Sequence, residues 1–398
     1  MSKFSPYLMI FIAFVAFNAA VGLTFGAVGL LIEPLTQEFG ASKSQISLSI
    51  SLIAAISACV SPFVGRLLDR WSLRGTMLVG CLVGMAAYGG AAHARSTLEY
   101  LLAFGALGGL SFAMIGVIPT NKIVSLWFPD KLGRMSGIVN LSVVNALAPP
   151  LFSYVIVTHG WRVLLEGFAL VNLGLLLLCL LVRAPARVSQ AMDSMGAAAD
   201  GGASSGQQET PPFKEKLFWI ICLPTAVLST TGIVAITYIV GFAQSQQVVA
   251  SRAALLLSVL GVASLVGAPL FGWLCDRISP LRALLFNGCA QLLLWCALAG
   301  MSDFSGMALV LALLGLCTGG VVPMLIALIG RAWPMRRFGA ALGQMTFAGL
   351  PLSFSAAPVA GLIFDLAGNY RAAFLFEAAL CALALCGLWF NRARLRDL

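Results

Sequence analysis

Apolar residues run along this chain in blocks of about 20 or more positions, the length a helix needs to cross a bilayer core. Short clusters of charge, glycine and proline separate the blocks. Cutting at those clusters predicts twelve spans, near 6–32, 45–65, 76–94, 99–126, 135–158, 163–182, 217–242, 252–274, 282–301, 305–330, 338–365 and 371–391. Each must be helical, because no water inside a bilayer satisfies an open backbone. The run that starts at Phe4 resembles a secretory leader, but it continues to Ile32 before Glu33, so it is kept as the first helix.

The polar clusters repeat. Gly65-Arg66-Leu67-Leu68-Asp69-Arg70-Trp71-Ser72-Leu73-Arg74-Gly75 returns as Gly272-Trp273-Leu274-Cys275-Asp276-Arg277-Ile278-Ser279-Pro280-Leu281-Arg282. His159-Gly160-Trp161-Arg162 matches Gly368-Asn369-Tyr370-Arg371, and Pro119…Trp127…Gly133 matches Pro323…Trp333…Gly339. Offsets stay between 204 and 209. Taken singly, each charged hairpin could be a basic turn that only sets topology; two copies in register predict a parallel repeat of six spans. The expected organisation is a first bundle over 1–185, a cytoplasmic linker over 186–213 and a second bundle over 214–398. The linker is rich in Gly, Ala, Ser and Gln, which cannot bury a core, so a flexible tether is expected.

Composition narrows the class. Sixty per cent of the chain is hydrophobic and ten per cent charged, which places it in lipid. The net charge of +9 is dispersed rather than gathered on one face, so no nucleic-acid partner is expected. With both termini inside, eighteen lysines and arginines fall on the inner side, from Lys3 to Arg396. Five (Lys43, Arg95, Arg162, Arg252 and Arg371) fall outside, and Lys122 lies within a span. That bias predicts cytoplasmic termini. Most of the ten cysteines sit inside apolar runs with no C-x-x-C pair, and His93 and His159 lie beside loops. The cysteines are read as small buried hydrophobes, and no metal or cofactor is expected.

The pattern Gly65, Asp69, Arg70, Arg74 resembles the G-x-L-x-D-R-x-G-R-R hairpin of the major facilitator superfamily, with Ser72 where that pattern has a glycine. The resemblance covers nearly the whole chain outside the tether. Within the superfamily the chain is most similar to the monocarboxylate and oxalate:formate branch. That likeness rests on Glu33-Pro34-Leu35…Phe39-Gly40-Ala41-Ser42…Gln45-Ile46-Ser47, on Trp127-Phe128, and on Ala357-Pro358-Val359-Ala360-Gly361-Leu362-Ile363-Phe364-Asp365. The eighth span reads Ala263-Ser264-Leu265-Val266-Gly267-Ala268-Pro269, without the aspartate and arginine that carriers of that branch bear.

The resemblance implies an all-α membrane fold of two pseudo-symmetric six-helix bundles. It also implies a secondary transporter that works by alternating access on a small organic anion such as a monocarboxylate. Efflux of amphipathic drugs or metabolites by the same fold is the alternative, and a non-transporting membrane sensor a remote one. No enzyme is expected. The expected partners are a small-molecule substrate, membrane lipid, and a coupling proton or exchanged anion, for a monomer in a bacterial inner membrane.

Gating candidates are Asp69, Arg70, Arg134, Asp276 and Arg277. A carboxylate at the inner end of the second helix is placed to cap the positive start of the eleventh, near Gly339. Arg70 or Arg134 is placed to pair with it, and Asp276 with Arg277 is expected to serve the matching seam at the fifth helix. Lys122, the one cation well inside a span, stands beside Asn121 and after the break expected at Pro119; anion attraction and structural pairing are both open for it. The resemblance points further to Asn18, Thr24, Asn140, Asn145, Thr230, Thr231, Tyr238, Ser264, Gln344 and Thr346 as cavity residues, each equally able to hold a neighbouring helix. Among carboxylates, Glu166 follows Arg162 by one helical turn and is expected to pair with it.

Overall fold

The computed structural model describes residues 6–41, 43–183, 211–248 and 250–391. Lys3, residues 184–210 (with most of the expected tether) and the tail from Arg392 lie outside the described residues, as does the side chain of Arg70. Twelve stretches are long and apolar enough to cross a membrane: Pro6–Ile32, Leu48–Asp69, Leu73–Ala92, Thr97–Trp127, Pro129–His159, Trp161–Cys179, Lys216–Ser245, Leu255–Ile278, Pro280–Gly300, Phe304–Ala332, Met335–Phe364 and Tyr370–Phe390. Each coincides with one predicted span, and the ends shift by a few residues.

The helices are α1 (Pro6–Phe39), α2 (Lys43–Arg70), α3 (Leu73–Ala92), α4 (Thr97–Tyr100), α5 (Gly108–Ile115), α6 (Val117–Trp127), α7 (Leu132–Val139), α8 (Val143–Leu147), α9 (Pro149–His159), α10 (Trp161–Cys179), α11 (Lys216–Ser245), α12 (Ala250–Ile278), α13 (Pro280–Gly300), α14 (Phe304–Ala332), α15 (Phe338–Ala367) and α16 (Tyr370–Phe390). A π-helical stretch, Leu101–Leu107, joins α4 to α5.

Two local outcomes differ from the sequence expectation. The first charged hairpin is mostly helix: α2 runs through Asp69 to Arg70, and only Trp71 and Ser72 precede α3. Ser72 caps α3, its hydroxyl accepting the Gly75 N–H at 3.2 Å, and Ser279 caps α13 by accepting the Arg282 N–H. A serine therefore stands where the superfamily pattern has glycine because it supplies an N-cap. At Ser279 the backbone takes a φ of 103°, a conformation that suits glycine better. The break expected at Pro119 falls at Gly116, so Pro119 lies in the first turn of α6, where its missing N–H costs no bond. In the fifth span the helix breaks at Asn140–Ser142 and again at Ala148, with Pro149 opening α9. α15 instead continues through Pro351 and Pro358.

The described chain forms two compact units. One comprises Met1–Pro129, Ser142–Glu215 and Trp333–Gln344; the other comprises Asp130–Leu141, Lys216–Ala332 and Met345–Leu398. Each therefore contains a short segment that follows a fourth or tenth span.

Without a hydrophobic drive between helices in lipid, close packing and interhelical hydrogen bonds hold them together. In the first unit, a Cβ on Gly80 would lie 2.7 Å from Ile115 Cγ2, so only glycine admits α5 there, and Ser111 donates to the Gly80 carbonyl at 2.9 Å. Tyr88 packs edge-on against Phe104 and Phe168, at 5.8 and 5.6 Å between ring centroids. In the second unit, Gly315 and Gly319 put α14 directly on the carbonyls of Leu260 and Ser264 in α12. There a buried polar chain crosses three helices. Thr231 donates to Gln291 Oε1, Gln291 donates to Asn287 Oδ1, and Asn287 donates to the Cys317 carbonyl, at 2.7, 2.7 and 2.8 Å.

Candidate functional site: two acid-capped helix starts

Each unit contains a carboxylate that binds the start of a helix far from it in sequence. In the first, Asp69 Oδ1 accepts the Gly339 N–H at 3.1 Å and Oδ2 accepts the Ala340 N–H at 2.7 Å. In the second, Asp276 Oδ1 accepts the Gly133 N–H at 3.1 Å and Oδ2 accepts the Arg134 N–H at 2.9 Å. The first N–H groups of a helix have no partner inside it and carry partial positive charge. A carboxylate is their natural acceptor.

Glycines bring the acids into reach. Gly65 lies four residues before Asp69, and Gly272 four before Asp276. A Cβ on Gly339 would lie 2.6 Å from the Gly65 carbonyl oxygen, and one on Gly133 would lie 2.6 Å from that of Gly272. Two backbones thus touch directly at each site, and the aspartate one turn further on reaches the facing helix start.

The sites differ in burial and in how near their cation stands. Lys122 Nζ stands 2.6 Å from Asp69 Oδ1 with both side chains almost fully buried, 5% and 7% exposed. The same ammonium donates to the Met335 carbonyl and lies 6.0 Å from the centroid of the Phe338 ring. Asp276 is exposed. Its neighbour Arg277 stacks on Trp273, 4.9 Å from the ring centroid, and Arg134 contributes its backbone N–H. Sequence reasoning offered Arg70 or Arg134 as the cation for Asp69; the ion pair is formed by Lys122. Positional pattern did not reveal this, because residue 122 lies 53 positions from its partner and only folding brings them together.

The proposed cavity residues are mostly engaged. Asn18 accepts the Val144 N–H at 3.0 Å and donates to the Phe14 carbonyl, filling the gap where α8 begins. Asn145 lies beside that break, its Oδ1 3.4 Å from where a Cβ on Gly26 would sit. Thr24 bonds Tyr88 Oη at 2.9 Å. Asn121, Asn140, Thr230 and Ser264 each bond a carbonyl of their own helix. Thr231 belongs to the buried chain with Gln291. Tyr238 packs on Gly361 and Tyr370, Gln344 Oε1 accepts the Phe213 N–H, and Thr346 is exposed on α15. Tyr88, Asn287 and Gln291 were missed. The Asn287–Gln291 spacing, one turn apart inside an apolar run, was the available signal.

The pair expected between Arg162 and Glu166 is not formed. Arg162 instead binds Glu38 at 2.5 Å and the carbonyls of Ala92 and Ala94, and Trp161 Nε1 donates to Glu38 at 2.6 Å. The Arg162 hydrogen bond holds the Glu38 carboxyl below its ordinary range. Glu166 lies 3.9 Å from His93. Reaching back to α1 lets one guanidinium satisfy a carboxylate and two helix-end carbonyls, which the pair within α10 would leave open.

Twelve apolar helices with paired, sequence-related acid sites define a polytopic membrane protein of the duplicated solute-transporter class. The sequence pattern of the Major Facilitator Superfamily matches residues 8–347 and, again, 222–397, and the chain belongs to that family. It is similar to monocarboxylate transporter 4 of Rattus norvegicus, 24% identical over 374 residues covering 89% of this chain and 76% of the relative. Monocarboxylate transporter 11 of Mus musculus is 26% identical over 386 residues, 90% and 81% of the two chains. Among solved structures, the proton:xylose symporter XylE superposes with a TM-score of 0.76 at 13% identity, covering 96% of this chain and 95% of that one. FucP in an outward conformation gives 0.74 at 17%, covering 98% and 99%. These structures share the fold. The protein is an integral membrane transporter.

Proposed function

We propose that this protein is a secondary transporter of small organic anions, with monocarboxylates as the substrate class, and that it works by alternating access. The observation that carries the substrate class is likeness to monocarboxylate transporters along nearly the whole chain. Alternating access draws support from the two acid-capped helix starts. Each joins backbone from one sequence repeat to an aspartate from the other, through hydrogen bonds and glycine contacts that can form and part without loss of the helices themselves. The repeats are taken as 1–185 and 214–398 with 186–213 between them, and the lysine and arginine bias supports cytoplasmic termini in a bacterial inner membrane.

Lys122 does not serve this reading as an anion receptor, since its ammonium is held by Asp69 and Met335. Substrate recognition is assigned to hydroxyl and amide groups such as Thr346 and Tyr238. A second reading, efflux of an amphipathic metabolite, is favoured by the eighth span, where no charge interrupts Ala263 to Pro269. Uptake of labelled lactate into proteoliposomes, with and without an imposed pH gradient, tests the first reading. Accumulation that unlabelled pyruvate suppresses is the expected result; no saturable lactate flux, alongside export of hydrophobic cations, would replace it with the second.

A further inference from the structure

Two tryptophans 206 positions apart hold the chain on either side of the segment that joins the repeats. Trp127, the last residue of α6, donates its indole N–H to the Arg183 carbonyl at 3.0 Å. Trp333 donates its indole N–H to Glu215 Oε2 at 2.8 Å. Glu215 Oε1 also accepts from Arg337, with the two side chains only 27% and 18% exposed. Two residues earlier, the Phe213 N–H donates to Gln344 Oε1 at 3.1 Å. All of these residues belong to the first compact unit.

Residues 213–215 therefore grip Trp333, Arg337 and Gln344. Those three bracket the points that Asp69 and Lys122 use, namely the Met335 carbonyl and the N–H groups of Gly339 and Ala340. A single carboxylate that accepts from a planar guanidinium and a rigid indole fixes both in position and in orientation. The described residues around the second helix start are arranged differently. Trp127 meets a main-chain carbonyl rather than an acid, and the residue matching Arg337 is Lys131, which is exposed.

We infer that Glu215 is a positioning residue of the Asp69 gate. It holds the 333–344 segment so that the start of α15 meets Asp69, and the gate opens only when the Glu215 contacts with Trp333 and Arg337 are released. This rests on the reading of Asp69 as a gate.

Hydrogen–deuterium exchange of the full-length purified protein tests it without any substrate. Asp69→Asn serves as reference and is expected to speed exchange in the peptide covering 338–342 about tenfold. Glu215→Gln keeps the shape and an acceptor for Trp333 but loses the charge, and it is expected to speed the same peptide by a comparable factor, with α16 unchanged. Arg337→Gln removes the pair from the other side and covers the case in which the first variant cannot be purified. Trp127→Phe is expected to leave 338–342 unaffected. If Asp69→Asn accelerates the peptide and neither Glu215→Gln nor Arg337→Gln does, the inference fails while the acid site stands. If none of the three does, both fail. Acceleration spread equally over α14 and α16 would also overturn the inference, since it marks general destabilisation. Absence of lactate transport bears only on the substrate class.

Discussion

Lys122 Nζ stands 2.6 Å from Asp69 Oδ1 with both side chains almost fully buried, and the two residues come from helices that are not neighbours in sequence. Desolvating one charge without the other is costly, so each single variant should suffer more than the pair. Lys122→Gln leaves a buried carboxylate with its two backbone donors but no counter-charge, a loss of up to about 3–5 kcal/mol. Asp69→Asn with Lys122→Gln should recover much of the thermal stability lost in either single variant, though not transport. Thermal inactivation half-lives of the three proteins measure this; equal losses that simply add would contradict the pairing.

The two aspartates should not be equivalent. Asp69 is buried and paired at short range with Lys122, whereas Asp276 is exposed, accepts two backbone N–H groups and feels the charges of Arg331 and Arg134. Asp69→Asn should lower the maximal transport rate at least tenfold with expression intact, and Asp276→Asn should lower it by a smaller factor. Counterflow rates in proteoliposomes at matched protein density decide the order.

Glycine contacts set how closely the helices approach. A methyl group at Gly339 would press on the Gly65 carbonyl at 2.6 Å, and overpacking of this kind costs about 1–3 kcal/mol. Gly339→Ala should therefore cut transport sharply, while Gly174→Ala, where a Cβ meets nothing within 4 Å, should be silent or slightly stabilising. Wild-type rates in Gly339→Ala would show that the backbones need not touch.

The Glu38–Arg162 contact carries a pH signature. Because Arg162 depresses the Glu38 carboxyl below 4.5, folding gains stability from it above that ordinary value and loses the gain as pH falls through the depressed one. Glu38→Gln should melt earlier than wild type at neutral pH, and the difference should shrink in acid. A melting-temperature gap that stays constant from pH 7 to pH 3 would rule this out.

Glu377 on α16 is 1% exposed, and among the described residues its Oε2 meets no hydrogen-bonding group. Burying a carboxyl without a partner is unfavourable. Glu377→Leu should raise the melting temperature, whereas a fall of several degrees would mean the carboxyl is satisfied by bound water.

The number, order and approximate limits of the twelve spans were legible in the sequence, because a bilayer imposes one rule on every crossing segment: about 20 apolar residues in a helix. Duplication was legible too, through Gly65 and Gly272, Asp69 and Asp276, Trp127 and Trp333. The acid sites were half legible, since an aspartate at a helix end and a glycine at a distant helix start are local patterns. Their cation was not. Choosing Lys122 over a nearby arginine depends on which side chain shares a desolvated pocket, as does the choice of Glu38 over Glu166 for Arg162. Helix formation in lipid depends on composition along the chain, which sequence records directly. Pairing of buried charges and glycine contacts depends on distances between helices, which exist only once those helices have packed.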